Sequence, residues 1–165
     1  MLKVIFMSIL SDGDIENSIK NNELSIEPYN PKNLTPNGYD LSIGEIYIKK
    51  TEQHIKEGII SIPPLSWFAI STKEYVKIGP CIASQLWIRS SYARKGILAS
   101  FGKVDAGFEG TLTISCFNSN DEEIEIPIGD RFCQIVFENL STKPNALYDV
   151  RSGSYQNQRG VTLER

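Results

Sequence analysis

The sequence predicts an all-β domain that folds as a sandwich, a jelly roll or a distorted barrel. Short runs rich in β-branched and aromatic residues recur along the chain, and glycine, proline or asparagine separates nearly every one. Helical periodicity is almost absent from these runs. The chain has 165 residues, of which 41% are hydrophobic, and this suits one domain with its own core.

One short helix is predicted before the strands. Ser11 is followed three positions later by Asp14, and Ile15 and Ile19 then stand at helical spacing. This capping-box pattern predicts a helix of about ten residues that ends near Asn21. The residues up to Leu10 are largely apolar and carry no small-residue cleavage site, so they predict a strand or packing arm and not a signal peptide.

The strands follow in order, and the tail differs from them. The predicted strands are Leu24–Glu27, Tyr39–Ile43, Ile46–Ile48, Ile59–Ile62, Trp67–Ile70, Ile82–Ile88, Thr111–Phe117, Ile124–Ile126 and Phe132–Phe137. One helical turn is expected over Ser90–Lys95, before Gly96. From Arg151 onward the chain is polar and poor in apolar residues. We therefore expect one β domain over residues 1–150 and a mobile arm over residues 151–165.

Charge and cysteine content exclude several classes of protein. The formal net charge is −3, which disfavours a nucleic-acid binder that acts by counterion release. No apolar run approaches the ~18 residues of a membrane span. The three cysteines form no CxxC pair and their odd number gives no closed disulfide framework, so a reducing cytoplasm is expected.

The only histidine, His54, limits the chemistry further. A zinc deaminase needs a histidine or cysteine ligand, a neighbouring glutamate and a downstream CxxC, and the chain has no such set. A Ser-His-Asp triad would have to use His54. It stands in the polar stretch 51–58, which predicts a loop with a solvated histidine.

Three segments remain as candidates for chemistry. Arg89 to Gly96 carries two arginines and two serines after an apolar strand, which fits either an anion cradle or a surface turn with solvated charges. Asp105 stands at a bend beside Phe108, where it either points a carboxylate into a cleft or only forms a turn. Gln134 interrupts an apolar run and is either buried with partners or exposed to solvent.

In this order, the segments resemble the motifs of the trimeric dUTPase and dCTP deaminase family, over about residues 11–160. The matching residues are Asn37-Gly38-Tyr39-Asp40; Arg89-Ser90-Ser91 with Arg94 and Gly96; Val104-Asp105 with Gly107, Phe108, Gly110 and Asn118; Gly129 with Arg131 and Gln134; and Tyr148 with Tyr155, Gln158 and Gly160. The resemblance implies a jelly-roll-like distorted β-barrel (a β-clip) and a homotrimer with active sites between subunits.

One position separates the two activities of this family. In the deaminase branch, a glutamate three residues before the motif-three asparagine serves as the base that activates water. Here Ser115 stands three residues before Asn118, and a serine hydroxyl has no useful basicity without a partner base. Glu109 is the first candidate for a replacement base. The tail and the helix start are similar to the deaminase branch, but Ser154 stands where that branch usually has lysine.

The resemblance implies dUTP hydrolysis to dUMP and pyrophosphate with Mg²⁺. Asp105 would activate the attacking water, with Ser90 and Arg94 as the other catalytic residues. Substrate would be bound by Arg89, Ser91, Phe108, Gln134, Tyr148, Ser154 and Gln158, while the arm closes over the site. The triphosphate would hold Mg²⁺, with Asp40 facing its water shell and no direct protein ligand. The alternatives are dCTP deaminase, alone or coupled to dUTP hydrolysis, and a binding module without catalysis.

Overall fold

The computed structural model describes residues 8–164, in which short strands dominate. Three short helices, α1 (Asp12–Lys20), α2 (Ser90–Ala93) and α3 (Tyr148–Arg151), accompany the strands. The strands are β1 (Leu24–Glu27), β2 (Leu34–Thr35), β3 (Gly38–Ile48), β4 (Gln53–Ile55), β5 (Ile59–Ile62), β6 (Ser66–Thr72), β7 (Tyr75–Ile78), β8 (Ile82–Ile88), β9 (Ile97–Ser100), β10 (Lys103–Val104), β11 (Glu109–Gly110), β12 (Thr113–Asn118), β13 (Ile124–Pro127) and β14 (Arg131–Asn139).

Helix α1 confirms the capping box read from the sequence. The Asp14 backbone N–H donates to Ser11 Oγ at 3.3 Å, and the Ser11 N–H donates to Asp14 Oδ2 at 3.1 Å. Ile15 is fully buried, so the apolar stripe faces the core. Of the predicted N-terminal strand or packing arm, residues 1–7 lie outside the described range. Ile9 forms an isolated bridge with Glu138.

A curled antiparallel sheet forms the body of the domain. Its strand order is β10-β8-β14-β3-β6-β12-β9, and smaller sheets β1-β7-β11 and β13-β5 complete the structure. The first half of β3 pairs with β14 and its second half with β6, with a register shift between Ile43 and Glu45. Gly44 stands at this shift, where a Cβ atom would lie 2.8 Å from Lys73 Cα. Because the sheet bends there, it wraps around a core of buried aliphatic and aromatic side chains.

Most predicted strands are confirmed, and the differences have local causes. The runs Tyr39–Ile43 and Ile46–Ile48 are one strand, because both stay paired with neighbouring strands on either side of the register shift. The strand predicted from Thr111 begins at Thr113. Five strands that were not predicted, β2, β7, β9, β10 and β11, have two to four residues each, and β7 follows β6 after a two-residue turn.

The loop predicted around His54 was wrong, although its side chain is exposed as expected. The residue belongs to β4, which pairs with β3 and places His54 opposite Tyr47. Its Nε2 contacts the carboxylate of Glu45, which is buried. A polar sequence formed a strand here because β3 supplies both the backbone partners and a carboxylate for the imidazole.

Two further expectations concern cysteines and membrane spans. Cys81, Cys116 and Cys133 are free thiols, and burial raises the pKa of the Cys116 and Cys133 thiols. Across residues 8–164, no helix has the length and apolar character needed to cross a membrane.

Candidate active site

The main candidate site is a cavity of about 440 Å³ on one face of strands β6, β9 and β12. The hairpin β9–β10, the bend after it and the C-terminal tail complete its walls. We call it the tail-covered cavity, and its lining residues are Trp67, Ala69, Leu86, Ser100, Gly102, Lys103, Val104, Asp105, Phe108, Leu112, Thr113, Ser115, Tyr148, Tyr155, Gln158, Thr162 and Leu163.

Asp105 lies at the bend after β10, where it lines the cavity and is exposed. Its backbone carbonyl accepts a hydrogen bond from the Phe108 N–H at 3.1 Å, which closes the turn. Its side chain has no hydrogen bond or ion pair with the residues described. Gly107 has φ +87° in this turn, and a Cβ there would lie 2.8 Å from Leu147 Cβ, so glycine is required. The carboxylate is therefore positioned by the backbone and remains available to a ligand.

An aromatic pair forms the wall beside Asp105. Phe108 is buried and meets the ring of Tyr148 edge-on, with the ring centroids 5.4 Å apart. The Tyr148 hydroxyl accepts a hydrogen bond from the Tyr155 N–H at 3.1 Å. Two sequence-predicted substrate residues, Phe108 and Tyr148, thus contact each other next to the predicted base.

The C-terminal tail packs across the cavity and forms hydrogen bonds with the backbone of Gly107 and Thr111. The Thr111 N–H donates to the Gln158 carbonyl at 3.0 Å, and Gln158 Nε2 donates to the Thr111 carbonyl at 2.6 Å. Gln156 Nε2 donates to the Gly107 carbonyl at 3.0 Å. Gln158 is buried, and its Oε1 has no hydrogen-bond partner among residues 8–164. The tail is therefore held mainly through motif-three backbone groups.

Contacts further along the tail extend this packing. The Arg159 guanidinium lies 4.4 Å from the ring centroid of Tyr75, and the Thr162 N–H donates to Thr113 Oγ1 at 3.1 Å. Ser154, also predicted to bind substrate, does not line the cavity and donates to the Ser152 carbonyl at 3.5 Å. The mobility of residues 151–165 stays a prediction.

A tryptophan–serine pair lies at the sheet side of the cavity. Trp67 Nε1 donates to Ser115 Oγ at 2.6 Å. Ser115 lies opposite Ala69 of β6 and Ser100 of β9, so these positions share a face. Trp67 was not among the predicted site residues, because its partner is 48 residues away in sequence.

Carboxylates other than Asp105 are missing from the described lining of the cavity. Glu109, the candidate replacement base, points elsewhere and forms an ion pair with Lys77, with Glu109 Oε1 2.7 Å from Lys77 Nζ. The cavity therefore offers one carboxylate for acid–base chemistry.

Two arginines surround a buried carboxylate at the β3–β8–β14 junction. Arg89 Nε lies 3.1 Å and Arg131 Nη1 3.3 Å from Asp40 Oδ2. Burial raises the pKa of the Asp40 carboxyl, and the two guanidinium groups partly oppose that shift. Asp40 thus holds the side chains of Arg89 and Arg131 in place, and Arg89 is among the residues predicted to bind substrate. Arg131 belongs to the fourth motif, but nothing in the motif predicts its contact with Asp40, 91 residues away.

Arg89 and Arg131, with the Asp40 carboxylate between them, form a group that we call the arginine cluster. Gln134 and helix α2 flank this cluster. Gln134 lies opposite Asp40 in the β14–β3 pair, and its Nε2 donates to Thr35 Oγ1 at 2.7 Å. Helix α2 is anchored by Tyr92, whose buried side chain donates to Asp130 Oδ2 at 2.7 Å. Burial and this bond raise the pKa of the Tyr92 phenol. The predicted residues Ser90, Ser91 and Arg94 are left exposed on the same turn.

The predicted site residues thus fall into two groups within one chain. Asp105, Phe108, Tyr148 and Gln158 line the tail-covered cavity. The arginine cluster and helix α2 contribute no residue to that lining.

Comparisons with known proteins agree with one family. Residues 45–140 match the family model described as dCTP deaminase-like. The chain is 43% identical over 145 residues to a dCTP deaminase of Pyrococcus horikoshii, covering 87% of this chain and 91% of the relative. It is 35% identical over 172 residues to the dUMP-forming dCTP deaminase of Aquifex aeolicus, covering 95% and 94%. It is 37% identical over 159 residues to a probable deoxyuridine 5′-triphosphate nucleotidohydrolase of Sulfolobus islandicus rod-shaped virus 1, covering 95% and 98%.

Solved structures share the fold. A dCTP deaminase from Agrobacterium tumefaciens superposes with a TM-score of 0.68 at 19% identity, over 81% of this chain and 48% of that one. A dUTPase of Staphylococcus bacteriophage 80alpha, solved with dUpNHpp, gives 0.52 at 21% identity, over 76% and 95%. The predicted jelly-roll-like fold is thereby confirmed.

Proposed function

Because the chain belongs to the family of dUTPases and dCTP deaminases, we propose that it is a dUTP diphosphatase that releases dUMP and pyrophosphate. One observation carries this choice within the family. The tail-covered cavity holds the carboxylate that hydrolysis needs, Asp105, and has Ser115 where deamination needs a second one. A relative of similar length carries the name of a probable dUTP nucleotidohydrolase.

Asp105 would orient a water molecule and accept its proton as the water attacks the α-phosphorus. Its side chain is unpaired in the described chain, so no intramolecular bond must break first. Phe108 would pack against the deoxyribose, as the family resemblance implies. Arg89, Arg94 and Ser90 would hold the phosphate oxygens, with Gln134 and Ser91 beside them. The tail residues Tyr148, Ser154 and Gln158 would close over the bound nucleotide.

The described residues fit an Mg²⁺ ion that the triphosphate would hold, with Asp40 beside its water shell. No cluster of three or more histidine, cysteine or acidic residues able to hold a metal occurs between residues 8 and 164. Asp40 accepts both arginines on Oδ2, and its Oδ1 has no described protein partner, so it can face the water shell of a metal. Mg²⁺ bound to the triphosphate would neutralise negative charge during phosphoryl transfer.

A homotrimer would bring the two groups of site residues together across subunit contacts. Trp87 and Leu98 are 58% and 60% exposed in the single chain, and Trp87 lines a groove together with Phe101. Burial of these two apolar side chains in a subunit contact would favour the trimer. Sedimentation should give a species of three chains of 18.5 kDa; a monomer at micromolar concentration would contradict the shared site.

The second candidate is dCTP deaminase, alone or coupled to dUTP hydrolysis. The names of several relatives favour it, including one that forms dUMP. Deamination requires a base for water and an acid for the leaving ammonia. Ser115 cannot supply these, and Glu109 is paired with Lys77 outside the cavity.

One assay separates these functions. The purified protein is incubated with Mg²⁺ and either dUTP or dCTP, and dUMP, dUTP, pyrophosphate and ammonia are measured. We expect dUMP and pyrophosphate from dUTP, and no ammonia from dCTP above background. Ammonia that depends on the protein would support the deaminase. Nucleotide binding without any product would indicate a binding module.

A further inference from the structure

The Trp67–Ser115 pair contains a hydrogen-bond arrangement that bears on base selection. Trp67 Nε1 can only donate, so at 2.6 Å it occupies one lone pair of Ser115 Oγ. The hydroxyl proton of Ser115 has no acceptor among the described residues. Ser115 lines the cavity, so this O–H is free to donate to a ligand there.

The position of the pair relates it to the base of a bound nucleotide. Ser115 lies opposite Ser100 of β9. The family resemblance implies that backbone groups of the hairpin between Ile97 and Asp105 read the base, and β9 is the first strand of that hairpin. Asp105 and Phe108, assigned to the water and the sugar, lie beyond that hairpin in the same cavity. A base whose sugar packs on Phe108 would therefore lie in the same cavity as the pair.

We propose that Trp67 and Ser115 select a pyrimidine with a carbonyl at C4 over one with an amino group there. This rests on the proposed function, because the base position follows from it. The uracil C4 oxygen accepts a hydrogen bond from the Ser115 O–H. The C4 amino group of cytosine is itself a hydrogen-bond donor, so the Ser115 O–H cannot donate to it. Ser115 Oγ can accept a hydrogen bond from the amino group only through its remaining lone pair, and the Ser115 O–H then has no partner.

The indole enforces this choice because it cannot reverse its role. If a hydrogen-bonding partner could both donate and accept, the serine hydroxyl could rotate to suit either base. With an indole N–H, the hydroxyl keeps its proton for the ligand. Trp67 is a positioning residue in this scheme, and Ser115 determines specificity. The ring of Tyr47 lies edge-on to Trp67, with centroids 6.3 Å apart, and restricts its movement.

Calorimetric titration with two non-hydrolysable analogues tests the pair. The imido analogues of dUTP and dCTP are titrated with Mg²⁺ into the wild type, Trp67→Phe, Ser115→Ala and the double variant. The wild type should bind the uracil analogue about 3- to 10-fold more tightly, the range for one neutral hydrogen bond. Each single variant should lose most of that preference. The double variant should lose no more than Ser115→Ala, because the two residues act as one unit.

Two control variants separate specificity from general damage. Tyr47→Phe keeps the ring beside Trp67, and Ser61→Ala removes a hydroxyl that donates to Glu123 outside the cavity. Both should keep the wild-type ratio of affinities. If Trp67 only supports the fold, its loss weakens both analogues equally and leaves the ratio unchanged, which overturns the proposal. If Trp67→Phe fails to fold, Ser115→Ala alone decides.

The outcome is separable from that of the proposed function. Hydrolysis of dUTP with an affinity ratio that neither variant changes leaves the hydrolase standing and refutes the base-selecting pair. A ratio that follows the variants in a protein that does not hydrolyse dUTP supports the pair and refutes the hydrolase. Equal wild-type affinities for the two analogues refute the pair directly.

Discussion

Replacement of Asp105 by asparagine is the most direct test of the chemistry. Asp105→Asn keeps the size and shape of the side chain and removes its basicity. In the structure, the turn around Asp105 is closed by its backbone carbonyl and the Phe108 N–H. The side chain is exposed and contributes no described hydrogen bond or ion pair. The substitution therefore removes no contact on which the fold depends.

The expected effects on stability and rate differ widely. A surface substitution of this kind changes the free energy of unfolding by less than about 0.5 kcal/mol, which corresponds to a melting-temperature shift below about 2 °C. Loss of a positioned general base lowers kcat by ~10²–10⁴-fold, or ~2.7–5.4 kcal/mol in the barrier. Nucleotide affinity should fall much less, because the arginine cluster is untouched.

The assay measures dUTP turnover, calorimetric affinity for the imido analogue and melting temperature on the same preparation. Asp121→Asn is the matched control, since Asp121 is exposed and lies outside the tail-covered cavity. A folded Asp105→Asn protein that hydrolyses dUTP within about fivefold of the wild type would refute the mechanism. A lowered melting temperature with a normal rate per folded molecule would identify Asp105 as a turn residue only.

Three further predictions follow from the tail and the buried carboxylates. Truncation before Arg151 should leave a protein that is folded by circular dichroism. Its turnover should be at least about tenfold lower, because the tail can no longer close over the substrate. Unchanged turnover would show that the tail is dispensable. Asp40→Asn should lower the free energy of unfolding by about 1 kcal/mol, since the two arginines that it holds are partly exposed to solvent, and urea titration measures this. Burial raises the pKa of the Glu74 carboxyl above 4.5, so the folded state binds this proton more tightly than the unfolded chain does. The stability of the wild type relative to Glu74→Gln should therefore fall as pH rises from about 4.5 to the raised native pKa, and a difference independent of pH would contradict this.

Local signals in the sequence were sufficient for much of the fold. The cap of α1 could be predicted because Ser11 and Asp14 satisfy each other within one turn. Most strands could be predicted because their apolar residues recur within four to seven positions. Asp105 could be named as a site residue from its motif, and the structure places it in a cavity with Phe108.

Long-range contacts decided what the sequence could not. His54 belongs to a strand because β3 provides its backbone partners and Glu45 its ionic partner. The division of the site residues between the cavity and the arginine cluster is visible only in the folded chain. The Trp67–Ser115 hydrogen bond joins residues 48 positions apart. By itself the sequence determined the family and the local elements, because those depend on the order and spacing of neighbouring residues. Only the tertiary structure decided which side chains meet, since their partners come from distant strands whose register is fixed when the core packs.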